Sequence, residues 1–214
     1  MKKLYADTFR WLAIGLLITF VTGFALASDQ ALLIALLNNP LGYLLPIVVQ
    51  IGICLLFGLI IRKLSYGGCI ALFIVYSLLT GLDIAVLLCI FELGSVISIF
   101  FGTAFAFGLI AVLGKYLDVD VTKMGTILLV SLLGVIVMSL LNVFVFGSNE
   151  LGLLVSVIAI VIFMGYIIYD LKIVEPLSLE IGEDKAAIYC AFQLYLDFIN
   201  LFIRLLEIFG KRRD

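Results

Sequence analysis

Runs without a single Asp, Glu, Lys or Arg dominate the chain: residues 11–28, 30–61, 64–82, 93–114, 124–149 and 151–169. Each is near or above the roughly 18 residues that need a bilayer-spanning explanation. In hydrocarbon only a helix or a closed barrel satisfies every backbone N–H and C=O. Barrel strands would alternate in and out over roughly ten residues, whereas these runs are apolar all round, so they predict helices. The run 30–61 is too long for one span and breaks at Asn38-Asn39-Pro40, where turn chemistry is concentrated. The pattern predicts helices over about 8–28, 41–61, 65–90, 94–115, 124–146 and 151–171, the second of them with Pro46 inside. A seventh segment, 186–209, is apolar with a few polar residues and Asp197 at its middle. No soluble domain stands out, since the longest polar stretch is only Leu171–Lys185. The expectation is therefore an all-α integral membrane protein forming a single transmembrane domain over 1–214.

Composition strengthens this picture. Of 214 residues, 65% are hydrophobic and 13% charged, about half the charge that covers a soluble domain. The formal net charge of −2 and the lack of a basic patch point away from nucleic acid. The basic residues alternate between loops. Lys2, Lys3 and Arg10 lie at the amino end, Arg62 and Lys63 in the second loop, Lys115 and Lys123 in the fourth, Lys172 and Lys185 in the sixth. The loops around Asp29, Glu92 and Glu150 have none. This obeys the positive-inside rule with a cytoplasmic amino terminus, in a plasma or inner membrane crossed several times. The tail Lys211-Arg212-Arg213 breaks the pattern if the last helix spans completely, which leaves open whether that helix is only partly inserted or is set by packing. Lys2-Lys3, an apolar run and Ala25-Leu26-Ala27 imitate a signal peptide. A retained first helix is the expectation, because Asp7 and Arg10 interrupt the approach to the apolar run.

Candidate chemistry is sparse. There is no histidine, which removes Ser-His and Cys-His catalysis and the usual zinc motifs. Cys54, Cys69, Cys89 and Cys190 lack metal spacing and read as buried small hydrophobes. Gly67, Gly68, Gly102, Gly108 and Gly114 read as sites of close helix packing in lipid. No cofactor is expected, and the chain is not expected to be an enzyme. Intramembrane carboxylates remain. A charge at the bilayer centre costs at least roughly 2.5–3.5 kcal/mol and usually serves a pathway or relay. Gln193, Asp197, Asn200, Arg204 and Glu207 follow at steps of 4, 3, 4 and 3, a stripe roughly 80° wide on an otherwise apolar helix. Such a stripe faces a bundle interior or water. It also fits a structural network with Asp197 bonded to Asn200 and Arg204, or a surface helix. Asp170 ends the sixth predicted helix, where a carboxylate is ordinarily solvated, and Asp83 and Glu92 read as interfacial. Asp120-Val121-Thr122 looks like a helix start.

Tyr169-Asp170-Leu171, followed by Leu194-Tyr195-Leu196-Asp197-Phe198-Ile199-Asn200-Leu201-Phe202, resembles the Bax inhibitor family of membrane proteins, as does the loop Asp120-Val121-Thr122-Lys123-Met124-Gly125. The resemblance covers almost the whole chain and is strongest to bacterial pH-sensitive calcium-leak members. It implies seven transmembrane helices, six surrounding a central carboxyl-terminal one, and a passive calcium leak gated by a proton-sharing aspartate pair. Asp170 and Asp197 match that pair, which would also bind calcium transiently. A basic latch matches Arg62, with Lys63 the alternative. Members often carry an acidic residue in the middle of the second helix, where this chain has Gln50. The implied partners are calcium ions, protons and the lipid bilayer, with a homo-oligomer left open. Two carboxylates in a low-dielectric site cannot both ionise cheaply, so they share a proton. Three other readings stay open: a proton-coupled transporter, a regulatory membrane protein without flux of its own, and an intramembrane aspartyl enzyme, whose expected Gly-x-Gly-Asp context is absent.

Overall fold

A helix packs closely in lipid where small side chains let backbones approach, and the first helix is built that way. The computed structural model describes residues 2–114 and 116–213, so Lys115 of the fourth loop lies outside the described residues. Helix α1 (Lys2–Ser28) buries Leu4, Thr8, Leu12, Gly15, Thr19 and Gly23, one stripe at steps of three and four. It packs along α4 (Tyr66–Ile90). Gly15 sits against Phe73, Gly23 against Ile84, and Gly81 against Thr22.

Between them lie α2 (Gln30–Asn38) and α3 (Pro40–Ile60). Asp29 caps α2 by accepting from Leu32 N, and Asn39 caps α3 by accepting from Leu41 N. The predicted break at Asn38-Asn39-Pro40 is thus a junction of two helices, and the short α2 was not anticipated from the pattern. Helix α5 covers Leu93–Gly114. Helix α6 (Val121–Leu141) starts where Asp120 accepts from Lys123 N at 3.1 Å, and continues as a wider π-helical turn over Asn142–Phe146. Replacing Asp120 by Ala should lower thermal stability by about 1 kcal/mol through loss of this cap, measurable as a shift in the melting of the detergent-solubilised protein.

Helices α7 (Asn149–Ile181) and α8 (Glu183–Phe209) follow. The pattern ends the sixth span at 171; α7 runs on through Pro176 to Ile181 and stops at Gly182, whose φ of 86° is the left-handed value that favours glycine. Beyond the apolar run a helix needs no apolar surface, so the charges after 171 do not end it. Among the described residues seven helices are long and apolar enough to cross a membrane: α1, α3, α4, α5, α6 with its π turn, α7 and α8. Among the described residues there is no β-sheet. The last helix is the most buried of the seven.

The contacts divide into two units. One holds the chain up to Glu92 with Val174–Tyr195 and Arg212–Arg213; the other holds Leu93–Ile173 with Leu196–Lys211. In the first, Phe192 packs against Phe57, Phe73 and Tyr76, and Leu4, Val174, Ala186, Ala187 and Cys190 form one apolar cluster. In the second, α6 and α7 meet through Leu128, Val135, Val155, Ala159, Ile162 and Phe163, and Phe198 packs on Phe100 and Phe107.

The position of the tail agrees with a last helix that spans completely. Arg212 forms an isolated antiparallel bridge with Phe91, its guanidinium 6.0 Å from the Phe91 ring, and Arg213 N donates to Ile90 O. The chain therefore returns to the end where α4 finishes, which four further complete crossings require. Two other expectations are corrected. Gly67, Gly102 and Gly108 have nothing within 4 Å of an added Cβ, and Gly68 meets only Leu64 and Ser65 of its own turn, so these four do not pack helix on helix; Gly114, against Ile168, does. Cys69 and Cys190 are buried, but Cys54 and Cys89 are exposed on apolar helix surface, where lipid takes the place of a core. Lys185 Nζ, from the start of α8, donates to the carbonyls of Ile61, Arg62 and Leu64 at 3.2–3.4 Å. These are acceptors that the end of α3 leaves unpaired. Lys185→Ala should cost about 1–2 kcal/mol, read as a lower melting temperature.

Candidate functional site

Helix α7 brings Tyr166, Tyr169 and Asp170 to one region at steps of three and four, and close packing fixes the helix there. Gly165 lies against Leu128, Gly125 of α6 against the Tyr169 ring, and Gly114 of α5 against Ile168. A Cβ at Gly125 would come within 2.8 Å of that ring, so the glycine sets the ring's position. Helix α8 supplies Asp197, followed by Phe198 wedged between the rings of Phe100 and Phe107.

Asp170 and Asp197 are 2% and 4% exposed. Their carboxyl groups are hydrogen-bonded to each other. An ionised carboxylate only accepts, so that bond requires a proton on one of the two. The remaining oxygens, Asp170 Oδ1 and Asp197 Oδ2, are buried without a hydrogen-bond partner. No Lys or Arg forms an ion pair with either aspartate among the described residues. Two unit charges roughly 4 Å apart repel by about 4 kcal/mol at an effective dielectric of 20. The arrangement can therefore hold a proton between two helices, or accept a cation in its place. Tyr166 lies close enough to feel both carboxyl groups; the i, i+4 spacing of Tyr166 and Asp170 was the available sign of it.

The rest of the predicted stripe divides. Asn200 Nδ2 donates to Leu196 O, its own helix. Arg204 pairs with Glu207 at 2.9 Å, and Ser156 Oγ donates to Glu207 Oε2 at 2.8 Å. The network imagined around Asp197 is thus not formed: Asn200 and Arg204 bond elsewhere, and Ser156 of α7, which the sequence did not single out, takes part. Gln193 is half-buried in the first unit. Arg62, the expected latch, donates to Glu180 Oε2 at 2.6 Å on the protein surface. Both side chains are more than half exposed, so Glu180→Gln should change stability by less than about 1 kcal/mol, checked by thermal melting at low and high salt. Gln50 Nε2 donates to Asp83 Oδ2 at 2.9 Å, so the half-buried Asp83 of α4 is a bonded group. Among the described residues no three His, Cys, Asp or Glu side chains converge.

The model of the family described as inhibitor of apoptosis-promoting Bax1 matches residues 1–214. Similar proteins include one of Borreliella burgdorferi, 34% identical over all of this chain and 94% of that protein. The inner membrane protein YbhL of Escherichia coli K12 is 33% identical over all of this chain and 93% of its own length. A protein of Deinococcus radiodurans is 35% identical, with 100% and 92% covered. With seven spanning helices and a match over its whole length, the chain belongs to the Bax inhibitor family of multi-pass membrane proteins.

Proposed function

We propose that the protein is a passive, pH-sensitive calcium leak whose gate is the Asp170–Asp197 pair. The observation that carries this is the hydrogen bond between two buried carboxyl groups with no basic residue paired to them among the described residues. With the proton in place the pair ties α7 to α8. Without it, like charges face each other in a low-dielectric site, and the tie becomes a repulsion. Calcium is a hard, oxygen-seeking cation, suited to the freed oxygens, with water completing its shell. Such binding is transient, because two carboxyl groups are few ligands for an ion that takes six to eight. Protonation shifts the gate by its different affinity for the closed and open states, and the sign of the response follows from which state holds the proton more tightly. The amino terminus is assigned to the cytoplasm on the charge alternation.

The test is calcium entry into liposomes holding the purified protein, followed with a fluorescent indicator across a pH series. Passive flux that varies with pH and does not saturate supports the leak. Flux that saturates and follows an imposed proton gradient would instead make the protein a proton-coupled transporter. Absence of flux from folded protein at every pH would leave a regulatory role through partners.

A further inference from the structure

A second carboxylate lies inside the spans and takes no part in the Asp170–Asp197 pair. Asp83 is the sole charged residue of α4, in a helix of 25 residues. Tyr76, Thr80 and Asp83 fall on one face at steps of four and three. Asp83 is half-buried and accepts from a neutral donor, the Gln50 amide of α3, at 2.9 Å. Among the described residues it makes no ion pair. Around it stand oxygens. The phenols of Tyr76 and Tyr195 lie close enough to feel its charge. The Tyr195 hydroxyl is bonded to Thr19, and Thr80 donates to Tyr76 O.

A carboxylate within a span, with no counter-charge among the described residues, either takes a proton or is balanced by a mobile cation. Gln50 offers more than a donor: with its Nε2 on Asp83, its Oε1 remains as an acceptor beside the carboxylate. We infer that Asp83, the Gln50 amide oxygen and the neighbouring hydroxyls form a second cation-binding station, in the first unit of the fold. Its role as a stop for a permeating ion rests on the leak reading; its existence as a cation site does not. One full charge among neutral oxygens is a weak site for a divalent ion, since affinity follows the count of charged ligands. Weak binding is what conduction needs, because the ion must leave as readily as it enters.

Terbium, a calcium substitute whose luminescence is sensitised by nearby tyrosine, reports the site directly. The full chain in lipid nanodiscs is used, with Asp170→Asn and Asp197→Asn together so that the aspartate pair is silent. Tyrosine-sensitised terbium luminescence should persist in that double variant, vanish when Asp83→Asn is added, and return with Asp83→Glu. Gln50→Glu supplies a second charged ligand and should lower the terbium midpoint roughly tenfold. That arm decides the matter if Asp83→Asn disturbs folding. Luminescence indifferent to Asp83→Asn in folded protein, or a midpoint unmoved by Gln50→Glu, overturns the inference. In liposomes, Asp83→Asn alone should lower calcium flux severalfold at every pH while keeping the pH profile. Calcium flux in the parent with no effect of Asp83 on either readout rejects this station and leaves the leak standing. Terbium binding that depends on Asp83 in a parent without flux keeps the station and rejects the leak.

Discussion

Calcium flux through Asp170→Asn or Asp197→Asn protein should be flat across pH, whatever the direction of the parent's response. The reasoning starts from the bond between the two carboxyl groups. It exists only with a shared proton, and both groups are almost wholly buried. An Asn at either position is nearly isosteric and carries a permanent N–H donor, so it holds the bond without titrating. A one-proton switch moves an equilibrium by at most tenfold per pH unit, about 1.4 kcal/mol. Across two units the parent can therefore vary by as much as roughly a hundredfold, and the variants should vary by less than about twofold. Since the two groups act as one, the double variant should match the singles and not add to them. The measurement is the initial rate of indicator response at five or six pH values, with equal buffer inside and out. Variants that keep the parent's profile would remove the pair from the gate.

Gly81→Val should lower the apparent melting temperature of the purified protein by roughly 6–12 °C. A Cβ at Gly81 would lie 2.6 Å from Thr22 Cβ and 3.1 Å from the Thr19 carbonyl oxygen. Backbone cannot give way without moving α1 off α4, and a valine adds two methyl groups beyond that. Overpacking of this kind costs typically 1–3 kcal/mol, and the upper end applies where backbone is the obstacle. At 2–4 °C per kcal/mol for a chain of this length, about 3 kcal/mol gives the stated range. Gly23→Val should behave alike, meeting Ile84 at 2.7 Å and the Gly81 carbonyl oxygen at 3.1 Å. Gly102→Ala is the control. With nothing within 4 Å of its Cβ, it should leave melting unchanged or raise it, alanine being the better helix former. Equal effects at Gly81 and Gly102 would mean that propensity, and not packing, governs these positions.

The number and course of the spans were legible because hydrocarbon demands long uncharged helices. The start of α6 was legible because Asp120 is a cap, and capping is a local matter. Which face of each helix turns inward was not. In water the outside is polar and the period of apolar residues reveals the core, but in lipid both faces are apolar. Gly102 and Gly81 thus look alike in the sequence, though one meets open space and the other a neighbouring backbone. The polar residues of α8 form a narrow stripe in the sequence, yet only Asp197 of them is buried, and the partners of the others could not be read. Ser156 for Glu207, Glu180 for Arg62 and Gln50 for Asp83 are pairings 51, 118 and 33 residues apart, beyond the reach of local pattern. Asp170 emerged from the family resemblance; alone it looked like a solvated helix end.

Helix α8 has most of its apolar stretch buried and is made after the six other spans. Its Phe192 and Tyr195 fill space among Phe57, Phe73 and Tyr76, and its Phe198 fills space between Phe100 and Phe107. While the ribosome is still adding this segment, those rings lack the aromatic partners that α8 brings. Membrane insertion of the earlier helices therefore yields an unfinished assembly, which α8 completes. A chain stopped shortly before residue 183 would carry the six preceding spans and still be a substrate for membrane quality control.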